Sequence, residues 1–198
     1  MKRTRGRPRL FDEAEVVEAA GRVFWRKGFS ATSLDDLAAA MDMNRPSIYG
    51  AFGDKEALYR RALSQFASRM EAAMQQTLFA KSDVRNALTA FLQQALSVYT
   101  SGAQPQGCLV MSTAVSAAVV HPDVQSDLLG VIQAIDRGMR ARLEQAIADG
   151  QLPSHFDAPG RATVAQSLLH SLSLRARAGE SKANLRRLIR SGVEAVLS

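Results

Sequence analysis

No stretch of this chain sustains the period-two alternation of β-branched residues that a half-buried sheet needs, and that bounds the fold more tightly than any other feature. Apolar residues recur instead at three- and four-residue spacing, with proline and glycine between the runs. The chain therefore reads as all-α. Of its 198 residues 46% are hydrophobic, ample for a packed core. The single cysteine, Cys108, excludes an internal disulfide and makes a reducing cytoplasm the expected compartment. The basic start has no apolar stretch behind it, so no signal peptide is expected. The longest apolar run, Cys108 to Val120, is broken by Ser112, Thr113 and Ser116. It falls short of the roughly 20 residues of a membrane span, so no membrane partner is expected.

Capping residues mark where helices begin. Asp12, with Glu15 three residues on, starts a first helix. Phe11 and Val16 form its staple, Val16, Ala20, Val23 and Phe24 its apolar stripe, and Gly28 its stop. Ser33 and Asp36 form a capping box for a second helix with Leu34, Leu37, Ala38 and Met41 inward. After a tight Asp42–Met43 connection, Asn44 caps a third helix with Pro46 in its first turn. Ile48 and Phe52, four apart, point into one small core. Gly53 breaks the chain, and Asp54 caps a long fourth helix running to about Ala80. Further helices are expected near 83–101, 106–119, 122–149, 159–178 and 181–197.

Three short helices followed by a larger helical remainder, with the second and third joined by a tight turn, match the helix-turn-helix pattern. The organisation expected is a basic arm at 1–9, a helix-turn-helix domain at 10–55 and a C-terminal helical domain at 56–198. The net charge of +6, with Lys2, Arg3, Arg5, Arg7 and Arg9 ahead of the first helix, suits a polyanionic partner. Such an arm can track a DNA backbone or enter a minor groove. On the third helix Arg45, Ser47 and Gly50 lie away from the Ile48–Phe52 face, and Asn44 and Pro46 at its start are counted with the DNA-binding set. Arg45 can donate two bonds to guanine, and Gly50 permits close backbone approach. Tyr49 can offer its hydroxyl to a phosphate. Thr32, Ser33 and Lys55 stand at helix N-termini, which favour anions. Any helical bundle has caps and stripes, however, so these features alone leave a plain bundle open.

The run from Phe11 to Leu63 resembles the DNA-binding domain of the TetR family of regulators. The matching residues are Ala19-Ala20, Phe24, Lys27-Gly28-Phe29, Ala31-Thr32-Ser33-Leu34, Ile48-Tyr49, Phe52 and Lys55-Glu56-Ala57-Leu58-Tyr59. The resemblance implies a homodimer that binds double-stranded operator DNA and responds to a small-molecule effector held in the C-terminal domain. It implies base reading by Arg45, Pro46, Ser47 and Gly50, and phosphate contact by Thr32, Tyr49 and Lys55. Family members often carry histidine or tyrosine where Gly50 or Ala51 stands, so fewer side-chain contacts are expected here.

Val164, Leu168, Ser171 and Leu172 share one helical face, and Leu185, Leu188, Ile189 and Val193 another. Periodicity fits monomer core and dimer face equally; the resemblance implies the dimer, as a four-helix interface. An effector pocket is expected in the region of Phe66, Met70, Phe91, Tyr99, Cys108, Met111, Ile132, Ile135 and His170, although each alone reads more readily as plain core. Cys108 opens a helix, a position that favours a reactive thiolate; the competing reading is a buried, inert thiol. The spacing of His121, His155 and His170 fits no metal motif, and no metal or cofactor is expected. A repressor released by its effector is the function implied, with an activator of the same architecture as the variant. An enzyme is the other class, but no phosphate loop or nucleophile elbow is present, and the adjacent Asp35-Asp36 pair points apart. A nonspecific architectural DNA binder is a third reading, separable by its lack of sequence preference.

Overall fold

A computed structural model describes residues 12–80, 83–102 and 104–198. The basic arm and Phe11 lie outside the described residues. The described chain folds into nine α-helices and no strand: α1 Glu13–Lys27, α2 Leu34–Met41, α3 Arg45–Phe52, α4 Lys55–Met74, α5 Val84–Tyr99, α6 Leu109–Ala117, α7 Pro122–Ala148, α8 Ala158–Arg177 and α9 Lys182–Leu197. None of these is long and apolar enough to cross a membrane.

The caps act where the sequence places them. Asp12 accepts from the Ala14 and Glu15 amides, Asn44 from Ser47 and Asp54 from Ala57. Ser33 and Asp36 make the reciprocal box. Gly28 leaves α1 at φ 78°, and Asp42 takes a left-handed φ of 49° in the α2–α3 turn, a conformation that short polar side chains tolerate. On α1 the buried stripe is Val17, Ala20, Val23 and Phe24, with Val16 only half-buried at its side.

α1, α2 and α3 close over Leu37, Ile48, Phe52 and the first half of α4, where Leu58, Tyr59, Ala62 and Leu63 are buried. No gap separates this unit from the rest, because one core runs from Val17 to Val196. Buried and bridging polar contacts tie the halves together. The Tyr59 hydroxyl meets Thr113 Oγ1 at 2.6 Å, and the Trp25 indole donates to the Gln106 carbonyl at 3.1 Å. Arg60 on α4 forks onto Asp127 and Asp123 at the start of α7, and His121 faces Glu56 at 2.8 Å.

α4 does not stop at Met74 but continues as a π-helical turn, Gln75–Phe79. The wider turn exposes backbone, and Arg142, itself buried on α7, donates to the Leu78 carbonyl at 2.7 Å. Gly107, at φ 67°, brings the loop before α6 against α8; a Cβ there would stand 2.6 Å from the Ser173 carbonyl oxygen.

The C-terminal helices correct part of the interface expectation. Leu168, Leu172, Leu185, Ile189 and Val193 are buried inside the single chain. The reason is that α9 lies against both α5 and α8, so its apolar stripe is used up by its own subunit. Of the expected set, Val164 is exposed, and Ser171 and Leu188 are half-buried.

Candidate nucleic-acid interface

The third helix has the geometry a recognition helix needs. Ile48 is wholly buried and Phe52 nearly so, which clamps α3 from behind. Arg45, Pro46, Ser47, Tyr49 and Gly50 are all exposed on the other side. A Cβ added at Gly50 would meet nothing, so this edge is open to an approaching surface. Asn44 is spent on its cap, accepting from the Ser47 amide at 2.8 Å.

Arg45 is already oriented. Its Nε donates to Asp35 Oδ1 at 2.8 Å and its terminal nitrogen to Oδ2 at 2.5 Å, a two-pronged pair between α3 and α2. These bonds raise the guanidinium pKa further. Both side chains remain more than half exposed, so the pair is a weak, exchangeable hold. Asp35 was not among the residues expected from sequence. Nothing in its spacing of ten residues from Arg45 announces a contact that only the turn geometry creates. Its neighbour Asp36 is held well below the usual carboxylate range, first by the Lys27 ammonium at 2.5 Å and then by Ser33.

Two expected phosphate contacts change character. The Thr32 side chain is 2% exposed, and its hydroxyl donates to the Gly28 carbonyl at 2.6 Å, so it closes the α1–α2 turn. The Lys55 ammonium donates to the carbonyls of Phe29 and Thr32, both at 3.1 Å, and lies 4.4 Å from the centre of the Phe29 ring. It therefore braces the same turn from α4. The α1–α2 turn offers two carbonyls and a ring face together, and a flexible ammonium within reach takes them. Ser33 stays exposed but shares its hydroxyl with Asp36.

Much of the interior expected to hold an effector is filled by side chains. Phe91, Tyr99 and Cys108 are buried in the core, Phe66 and Met111 are half-buried against it, and Ile132 is half-buried. His170 is half-buried on α8, where burial lowers its pKa and nearby Asp136 opposes that. Met70 and Ile135 of that set line open space, a cleft of about 910 Å³ between α4 and α7. Cys108 is the cap residue before α6 and not in its first turn. Burial pushes its thiol up to about 11, outweighing the Met111 and Val110 amides and the Tyr99 hydroxyl that favour the thiolate. Burial and the raised pKa favour the inert reading of this cysteine over the reactive one. Two pKa units cut the thiolate fraction about 100-fold. Iodoacetamide at pH 7.5 should leave Cys108 intact in the native protein and label it on unfolding. Labelling of the native chain at the unfolded rate contradicts this.

Comparison with known proteins agrees with this geometry. Residues 16–62 match the model of bacterial regulatory proteins, tetR family, and residues 85–191 match the tetracyclin repressor-like C-terminal domain. The HTH-type transcriptional repressor ComR of Escherichia coli (strain K12) is 30% identical over 91% of this chain and 87% of its own length. BdcR, an HTH-type transcriptional repressor of the same organism, is 31% identical over 55% of each chain. Among solved structures, a cysteine mutant of the TetR family transcriptional regulator CifR, complexed with 26bp double-strand operator DNA, superposes with a TM-score of 0.88. It is 30% identical, covering 96% of this chain and 99% of that one. Reduced NemR of E. coli, at 18% identity and a TM-score of 0.78, shares the fold. With both halves matched in order along one chain, this protein belongs to the TetR family of DNA-binding transcriptional regulators.

Proposed function

We propose that the protein is a dimeric repressor that holds a palindromic operator and lets go when a small molecule binds its C-terminal helices. The observation that carries this is the pairing of a rigid inner face, Ile48 and Phe52, with an open outer edge on which Asp35 presents Arg45. Two relatives named as repressors and a neighbour solved on operator DNA support the direction of control. Arg45, Ser47 and the Gly50 backbone read bases in this reading, and Tyr49 and the α2 and α4 N-termini meet phosphates. Lys55 acts chiefly by fixing the turn that sets those N-termini.

The dimer face is the outer side of α8. Val164, Ser167, Ser171 and Leu174 follow one another at spacings of three, four and three, and Val164 and Leu174 are 45% and 71% exposed. With Leu188 of α9 beside them, two copies would bury this stripe as a four-helix interface. Release follows from connectivity. Only Gly53 and Asp54 separate α3 from α4, so a shift of α4 carries the recognition helix with it. A coupling of about 1–3 kcal/mol is ordinary for such a device.

The test is selection of bound fragments from genomic DNA with the pure protein. The expected result is one inverted repeat with half-sites about one helical turn apart, bound about a thousandfold or more over bulk DNA and progressively weaker as salt rises. Uniform binding to all fragments overturns the reading.

A further inference from the structure

We infer that Trp25 and Arg177 are positioning residues that set which half-site spacing the protein accepts, by pinning the end of α1 to α8 through the Gln106 carbonyl. Their role rests on the reading above, in which two copies meet along α8 and hold a palindrome.

The distance between two copies of α3 depends on how each DNA-binding unit is seated on the helix that joins the subunits. α4 provides one seat. The C-terminal end of α1 provides a second. The last carbonyls of a helix have no amide partner within it. The Phe24 carbonyl is met by the Gly28 amide, whereas the Trp25 carbonyl accepts from a terminal nitrogen of Arg177 at 3.3 Å. The helix dipole also favours a cation at that end. The same nitrogen of Arg177 donates to the Gln106 carbonyl at 2.9 Å, and the Trp25 indole donates to that oxygen at 3.1 Å. One residue of α1 and one of α8 therefore converge on a single loop carbonyl. The Ser112 hydroxyl reaches it too, at 3.1 Å, so three donors crowd an oxygen that has two lone pairs.

That carbonyl is a fixed point of the C-terminal helices. The Gln106 and Gly107 amides both donate to the carbonyl of buried Tyr99, at 3.0 and 3.2 Å, at the end of α5. The Cys108 amide donates to the Ser173 hydroxyl of α8 at 2.8 Å. The Trp25 ring belongs to the other body, lying edge-on to Phe66 of α4 with centres 5.3 Å apart. Arg177 stands three residues beyond Leu174, one turn past the exposed stripe on which two copies would meet. The node therefore joins the recognition unit almost directly to the dimer face. Leverage makes its stiffness matter. α1 has 15 residues and is about 22 Å long, so a tilt of about 10° at the node moves its far end by about 4 Å, on the order of one base-pair step. α2 and α3 share the core of α1 and move with it. Arg177 is exposed, so each bond is modest, but a dimer carries the node twice.

The test is binding, by fluorescence anisotropy, to the selected operator and to versions with one base pair added or removed between the half-sites. Each such change moves the half-sites by about 3.4 Å and turns them by about 34°. The wild type should bind the altered centres at least about 100-fold more weakly. Arg177→Met keeps most of the stem and removes the donors. Trp25→Phe keeps an aromatic ring beside Phe66, removes the indole N–H and serves as the second variant should the first fail to fold. Each should weaken the natural centre, because a preorganised spacing is lost, and should shrink the penalty for the altered centres at least about tenfold. Base preference within a half-site should stay as in the wild type. A loss of stability alone lowers the active fraction for every operator alike and leaves these ratios untouched. If the wild type is spacing-selective and the folded variants keep its full penalty, the role of Trp25 and Arg177 is overturned while the palindrome reading stands. If the wild type binds all three centres equally, the palindrome reading falls and this role with it.

Discussion

Arg45→Ala is expected to be the most damaging single change to operator recognition. A bidentate arginine–guanine contact discriminates by about 1–3 kcal/mol, and a dimer on a palindrome makes it twice, giving about 2–6 kcal/mol or roughly 30- to 20,000-fold. The residue opens α3 with its side chain 55% exposed, opposite the buried Ile48 and Phe52. In the free protein both prongs of the guanidinium are turned to Asp35. Reading a base therefore requires either giving up one prong or exchanging both. An exposed pair of this kind is worth about 1 kcal/mol at most, so the exchange is affordable against a buried base contact. Asp35→Ala should consequently have a smaller effect than Arg45→Ala. Its sign reports whether the carboxylate orients the arginine or competes with the base. The measurement is fluorescence anisotropy on the selected operator and on variants with one base pair changed per half-site. Arg45→Ala should flatten the preference at one position and leave the others intact. Relative affinities that do not change at all would mean the edge of α3 has been assigned the wrong way round.

The sequence carried the helices far better than it carried their neighbours. Asp12, Ser33, Asn44 and Asp54 each cap the helix they announce, because capping is local chemistry between a side chain and an amide two or three residues away. Every later helix lies within about three residues of its expected bounds, since apolar periodicity is also local. Partner choice is not. The stripe of Leu185, Ile189 and Val193 says that one face of α9 must be covered, but only the fold shows that α5 and α8 of the same chain cover it. Lys55 illustrates the same limit at a single atom. At a helix N-terminus a lysine reads as a phosphate ligand, yet its four-carbon stem reaches two carbonyls across the turn. The pocket was least legible. Large residues such as Phe91 and Tyr99 attract attention in a sequence but fill space, while the open cleft is made by what Gly130 and Ala134 leave out. The π-turn at Gln75–Phe79 has no residue signature at all.

Phe24→Ala should cost about 3–5 kcal/mol of stability, the range for deleting a buried aromatic ring with little local collapse. Phe24 is wholly buried at the meeting point of α1 and α4. Its ring lies 4.9 Å from that of Tyr59 in an edge contact and 6.2 Å from that of Phe29 in a stacked one. Neither neighbour can slide in to fill the void. Tyr59 is tethered through its hydroxyl to Thr113, and Phe29 is held between the Lys55 ammonium and the His121 ring. The loss is a fifth or more of the total for a domain stable by about 5–15 kcal/mol. Because one core runs through both halves, the urea transition of the variant should remain single while its midpoint falls. Two separated transitions, with the C-terminal helices unfolding at the wild-type midpoint, would show the recognition unit to be an independent body. In that case a displacement of α4 would not need to reach α3 at all, and release of the operator would have to act through the dimer face instead.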